Sequence, residues 1–131
     1  MSAQALPVLV VEDNEMNQQL LLRQLQRIGL ANVVLAANGA EALAWLEQKS
    51  CLFVIADCQM PEMDGYEMTR QIRLRERVTG EHLHIIALTA SVMDDDRERC
   101  ALAGMDSHIS KPTQIAVLRE KLQQWLPAEM S

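Results

Sequence analysis

Cys51-Leu52-Phe53-Val54-Ile55-Ala56-Asp57-Cys58-Gln59-Met60-Pro61-Glu62-Met63-Asp64-Gly65 is the stretch on which the reading of this chain turns. Five apolar residues, Leu52 to Ala56, predict a strand buried on both faces, as in a parallel sheet covered by helices. They run straight into an aspartate and a loop holding Pro61 and Gly65, so Asp57 stands at a strand's carboxyl end. In open α/β sheets that edge is where ligands bind. A carboxylate with an ordinary pKa of about 3.9 is ionised at neutral pH and can act as a nucleophile or metal ligand without a general base.

Working outward, Pro7-Val8-Leu9-Val10-Val11 repeats the pattern and ends in Glu12-Asp13. If these two strands are parallel neighbours, three carboxylates meet at one edge, and a divalent cation is the natural way to offset their repulsion. Asn14 to Ile28 carries Leu21, Leu25 and Ile28 at helical spacing and stops at Gly29. Val33 to Ala36 is a short strand. Asn38, with Glu41 three residues on, opens a helix that turns Ala42, Leu43 and Leu46 inward.

Beyond the central loop, Asp64 caps a helix with Met68 and Ile72 inward through about Arg77, and Thr79-Gly80-Glu81 breaks it. His84 to Leu88 is a fourth strand, delivering the Thr89 hydroxyl to the same edge. Ser91 to Ala103 reads as a helix from its Ser91-x-x-Asp94 start to the Gly104 stop. Its middle, Asp94 to Arg99, is wholly charged, so little apolar surface holds it in place. Ser107 to Ser110 is a weak fifth strand ending at Lys111-Pro112. Thr113 is expected to cap a last helix striped by Ile115, Leu118, Leu122 and Trp125, with Pro127 as its end. The order βαβαβαβαβα with right-handed crossovers predicts a three-layer α/β sandwich.

Bulk properties restrict the function. A chain of 131 residues, 49% hydrophobic and 23% charged, fits one globular domain with a full core. We place it at residues 7–126, between tails at 1–6 and 127–131. A net charge of −6 and a pI near 5.0 argue against direct nucleic-acid binding. No apolar run reaches the roughly 20 residues that span a bilayer, and the start lacks signal-peptide order, so a cytoplasmic domain without membrane contact is expected. Cys51, Cys58 and Cys100 form no C-x-x-C pair and are expected as reduced thiols, Cys58 as packing rather than a redox switch. His82, His84 and His108 have no cysteines at zinc-site spacing.

Glu12, Asp13, Asp57, Thr89 and Lys111 thus converge. Magnesium takes octahedral oxygen ligands, commonly one or two carboxylates, waters and a phosphate. Held by Asp13 and Asp57, it would reduce the repulsion between Asp57 and an incoming phosphoryl group. Lys111 can pair with phosphoryl oxygens and Thr89 can donate a hydrogen bond to one. The implied chemistry is an aspartyl phosphate on Asp57.

Together, Val10-Val11-Glu12-Asp13-Asn14, the Asp57–Gly65 motif, Leu88-Thr89-Ala90 and Ser110-Lys111-Pro112, in order from Val8 to about Leu126, make the chain resemble the receiver domains of two-component response regulators. The resemblance implies a flavodoxin-like (βα)5 sandwich with strand order 2-1-3-4-5. It implies Asp57 as phosphoacceptor, Asp13 and the Gln59 main-chain carbonyl as magnesium ligands, Glu12 acting through water, and Thr89 and Lys111 on the phosphoryl group. It also implies a cis Lys111-Pro112 bond. Thr89 and His108 would be the switch pair, although His108 stands where receivers usually carry Tyr or Phe. Ser91 and Gln59 would lie beside the acyl phosphate.

The motif wording resembles receivers attached to hybrid sensor histidine kinases. This implies a sensor histidine kinase, in cis or in trans, as donor and a histidine phosphotransfer domain as acceptor. A stand-alone regulator signalling by protein contact, and a degenerate receiver used only as an interaction module, are the alternatives. A magnesium-dependent phosphatase of the haloacid-dehalogenase kind needs an aspartate two residues after its nucleophile, where this chain has Gln59.

Overall fold

The computed structural model describes residues 6–58, 63–89, 94–111 and 113–125, with no account of the side chains of 94–97 and 125. Five strands alternate with five helices: β1 (Val8–Val11), α1 (Glu15–Arg27), β2 (Val33–Ala36), α2 (Gly39–Leu46), β3 (Val54–Asp57), α3 (Gly65–Thr79), β4 (Ile85–Thr89), α4 (Asp94–Ala103), β5 (Ser107–Ser110) and α5 (Ile115–Lys121). A 3-10 turn, Gln123–Trp125, follows α5. All strands are parallel, in the order β2-β1-β3-β4-β5. The expected fold class and strand order are therefore those observed.

Side chains of a strand alternate between its two faces, and this divides the core into two. Val8, Val10, Ile55, Ile86, Leu88 and Ile109 face α1 and α5 through Leu21, Leu25 and Leu118. Leu9, Val11, Val54, Ala56, Ile85 and Ala87 face α2, α3 and α4 through Ala42, Leu43, Met68, Ile72 and Ala103. Burying each large apolar side chain contributes about 1.5–3 kcal/mol, which makes the sheet a rigid platform. Its register carries the strand ends to one edge: Val11 pairs with both Ala36 and Ala56, and Thr89 pairs with Ser110.

Local signals explain most helix boundaries. Asn14, Asn38 and Asp64 each accept a hydrogen bond from the backbone N–H three residues on, at 2.9–3.0 Å. Gly80, at φ 78, closes α3 in the left-handed conformation two residues later than Arg77 suggests. Gly65 has a different reason: a Cβ there would lie 2.5 Å from the Asp57 carbonyl oxygen, so only glycine lets α3 start against the end of β3.

Several boundaries differ from expectation. β3 begins at Val54, and Leu52 and Phe53 lead into it; β4 begins at Ile85. Thr113 does not cap α5. The N-cap is Gln114, which makes no side-chain cap bond, because the Thr113 hydroxyl instead donates to Gln24 Oε1 at 2.7 Å. Gln24 Nε2 donates back to the Thr113 carbonyl at 2.9 Å, pinning α1 to the segment after β5. α5 ends at Lys121, with Leu118 and Leu122 buried. The Ser91 helix start, the Pro127 stop and the outer parts of both tails lie outside the described residues.

Candidate functional site at the carboxyl edge of the sheet

The platform brings Glu12, Asp13 and Asp57 together, as its register requires. One carboxylate oxygen from each lies within 4.8 Å of the other two. Glu12 and Asp57 are buried, while Asp13 is exposed at the rim. The Lys111 ammonium donates to Asp57 Oδ2 at 2.5 Å and sits 3.6 Å from Glu12 Oε1, too far for a hydrogen bond. Lys111 is aimed by its backbone, whose N–H donates to the Thr89 carbonyl at 2.8 Å. Thr89 is itself buried at the end of β4.

The electrostatics are unbalanced. Three carboxylates less one ammonium leave two negative charges when all are ionised. Like charges about 4 Å apart cost about 4 kcal/mol at an effective dielectric of about 20. Burial raises the Glu12 carboxyl, and the charge of Asp57 adds to this, while the Asn14 backbone N–H and Lys111 oppose it. Burial alone would lower Lys111, but the hydrogen bond and charge of Asp57, with Glu12, hold it above its usual value. Among the described residues, Glu12 Oε1 is buried without a hydrogen-bond partner. A buried acceptor of this kind is rare unless something else satisfies it.

That donor set fits a divalent cation of the magnesium type. Octahedral coordination at 2.0–2.1 Å places neighbouring ligand oxygens about 3 Å apart and opposed ones about 4 Å apart, and the three carboxylate oxygens, within 4.8 Å of one another, can be drawn to that spacing by small side-chain movements. Gln59, Ser91 and Pro112, and with Pro112 the expected cis bond, lie outside the described residues. His108 is half-buried in β5, paired in register with Ala87, two residues short of Thr89.

Residues 8–123 match the model of the response regulator receiver domain. The chain belongs to the receiver domain family. It is 36% identical over 122 residues to the hybrid signal transduction protein dokA of Dictyostelium discoideum, covering 93% of this chain and 7% of that relative. The receiver thus spans a small fraction of the curated relatives it matches. Among solved structures, the receiver domain of sensor histidine kinase PA1611 from Pseudomonas aeruginosa, with magnesium coordinated in its active-site cleft, is 39% identical. It superposes with a TM-score of 0.80 over 92% of this chain and 96% of that one. The Saccharomyces cerevisiae receiver domain of Ssk1, crystallised with the histidine phosphotransfer protein Ypd1, is 31% identical. Its TM-score is 0.82, over 92% of this chain and 88% of that one. Magnesium-binding and phosphotransfer-bound receivers therefore share this fold.

One arrangement gave no sequence signal. Cys58, directly after Asp57, places its sulfur 3.8 Å from that of Cys100 on α4, and both are buried. The Tyr66 ring lies beside them, with the Arg99 guanidinium 4.5 Å from its centroid. Burial pushes the Cys58 thiol up to about 12.

Proposed function

We propose that this receiver accepts a phosphoryl group on Asp57 from a histidine kinase phosphohistidine and passes it to a histidine phosphotransfer domain. The observation that carries this reading is the paired, buried Asp57 carboxylate beside Lys111, inside a cluster whose excess negative charge matches a divalent cation.

Asp13 and Asp57, with the Gln59 main-chain carbonyl, would hold magnesium, and Glu12 would act on it through water. When bound, the ion supplies charge neutralisation at the phosphoryl oxygens. The remaining work belongs to the chain. Asp57 Oδ attacks phosphorus in line with the departing imidazole nitrogen, and the P–N bond breaks as the P–O bond forms. The Lys111 ammonium, already held at Asp57, donates to one incoming phosphoryl oxygen, and the Thr89 hydroxyl donates to another. Such preset donors lower the barrier because they need no reorganisation as charge moves.

Thr89 and His108 form the switch pair in this reading, downstream of chemistry, so His108→Tyr leaves the rate of phosphorylation intact. The domain works at residues 7–126 in the cytoplasm, and among the described residues no helix is long and apolar enough to cross a membrane. Leu20, an exposed apolar side chain on α1, lines a cleft with Glu12 and Lys111 and suits a helical phosphotransfer partner. Resemblance to hybrid kinases favours a kinase in the same polypeptide as donor.

The test is intact mass after incubation with acetyl phosphate. Magnesium-dependent, acid-labile gain of one phosphoryl group, absent in Asp57→Asn, is expected. Labelling that survives Asp57→Asn would overturn the assignment; magnesium binding without labelling would mean that a partner-specific donor is needed, and neither labelling nor magnesium binding would favour the interaction module.

A further inference from the structure

We propose that Cys58 and Cys100 form a peroxide-driven disulfide that staples α4 to the end of β3 and slows phosphoryl acceptance at the neighbouring Asp57. The bond itself stands on geometry alone; its effect rests on the phosphoacceptor reading.

The two sulfurs are already in van der Waals contact at 3.8 Å. A disulfide needs about 2.05 Å, so closure of less than 2 Å suffices. The two residues arrive from different elements, 42 positions apart, so the bond would join parts of the fold that otherwise meet only by packing. Cys51 lies at the opposite end of β3 and cannot compete for either partner.

The element carrying Cys100 is lightly anchored by its described side chains. Among the described side chains of α4, Cys100 and Ala103 are buried, whereas Leu102 is 84% exposed. A helix held by so few apolar contacts opens locally at low cost, which gives an oxidant access to a thiol that is buried at rest.

Hydrogen peroxide is the oxidant. The Cys100 sulfur attacks one peroxide oxygen, the O–O bond breaks, and the thiol proton leaves with the departing oxygen as water, giving a sulfenic acid. The Cys58 sulfur then attacks the Cys100 sulfur, the S–O bond breaks, and a second water leaves with the Cys58 proton. Two thiols and one peroxide yield one disulfide and two waters, with two electrons passing from sulfur to oxygen.

The effect on Asp57 follows from adjacency. The Cys58 N–H is tied to the Leu88 carbonyl at 3.1 Å, so drawing its side chain toward α4 twists the backbone next to Asp57 rather than sliding the strand. A misplacement of about 1 Å in a group-transfer site can cost about 100-fold in rate, so a loss of about 10-fold or more is expected.

The experiment treats the full chain with hydrogen peroxide, maps the products by peptide mass spectrometry, and then measures the initial rate of labelling by acetyl phosphate with magnesium. Support is a Cys58–Cys100 cross-linked peptide together with labelling slowed about 10-fold or more, restored by dithiothreitol. Cys51→Ser should behave as the native chain; Cys100→Ser should label normally and ignore peroxide. Sulfinic acid at either cysteine without a cross-link, or disulfides only between chains, would overturn the bond. A cross-link with an unchanged labelling rate would overturn the coupling. If the reduced chain takes no label and binds no magnesium, the phosphoacceptor reading fails and the coupling with it, while the cross-linked peptide still decides whether the bond forms.

Discussion

The two ends of the same parallel sheet carry polar clusters built on opposite principles. At the carboxyl edge, among the described residues, Glu12, Asp13 and Asp57 face a single ammonium, and a buried Glu12 oxygen has no hydrogen-bond partner. At the amino edge, Arg73 on α3 is fully engaged. Its guanidinium donates to the Gly104 carbonyl at 2.9 Å, the Leu83 carbonyl at 2.8 Å, Glu76 Oε1 at 2.7 Å and Asp106 Oδ2 at 2.8 Å. Asp106 also accepts from the Ile85 N–H at 2.8 Å and from His82 Nε2 at 2.7 Å, and Glu76 Oε2 accepts from the Leu83 N–H at 2.6 Å. The amino-edge cluster, two carboxylates on one guanidinium, pairs its charged groups through hydrogen bonds and closes α3 onto β4 and β5. The carboxyl-edge cluster keeps a larger excess of charge that costs stability, and such a cost persists where a ligand is to be bound.

Breaking the Arg73 cluster should produce the largest change in stability. Arg73→Ala strands two partly buried carboxylates and two carbonyls, and a loss of about 2–3 kcal/mol in urea unfolding is expected. Labelling by acetyl phosphate should persist in the folded fraction, because the site is at the other edge. Loss of labelling in the folded protein would show that the two ends are coupled.

Glu12→Gln sharpens the contrast from the other side. Removing one of the crowded charges should raise the unfolding free energy by about 1 kcal/mol without magnesium while weakening magnesium binding about 10-fold. A variant that is less stable and binds magnesium equally well would mean Glu12 is structural.

A comparable loss of about 1 kcal/mol is expected from Thr113→Val, which breaks the bond to Gln24 and leaves labelling unchanged. Thermal melts of the two proteins decide it.

The smallest effect should come with acid. Burial alone would raise the Asp106 carboxyl, but the Ile85 N–H, His82 and Arg73 together hold it below its ordinary 3.8. Because the folded value is depressed, this stabilisation is present above about pH 4 and is lost as pH falls through the folded value. Asp106→Asn should therefore lower stability at neutral pH and flatten its decline below pH 4. An unchanged acid limb in equilibrium unfolding would contradict this.

What was legible in the sequence follows the same division. Asp57, Asp13 and Thr89 could be placed because each follows an apolar run, and Lys111 because it follows the weaker Ser107–Ser110 strand; the alternation of strands and helices sends such ends to one edge. The burial of Glu12 could not be read, since it depends on the packing of β1 between β2 and β3. Arg73 looked like its neighbours Arg70, Arg75 and Arg77, because its partners Leu83, Gly104 and Asp106 are distant in the chain. Thr113 was misread as a helix cap because its true partner, Gln24, is 89 residues away. The Cys58–Cys100 contact was hidden for the same reason. Short-range chemistry is written locally, whereas a side chain recruited across elements is fixed only when the layers close.

The most direct measurement is a magnesium titration followed by backbone amide NMR on the full chain. Shifts concentrated at Glu12, Asp13, Asn14, Asp57, Cys58 and Lys111, and absent in Asp57→Asn, are predicted. Shifts centred on Glu76, Leu83 and Asp106 instead would place the cation at the amino edge and contradict the account.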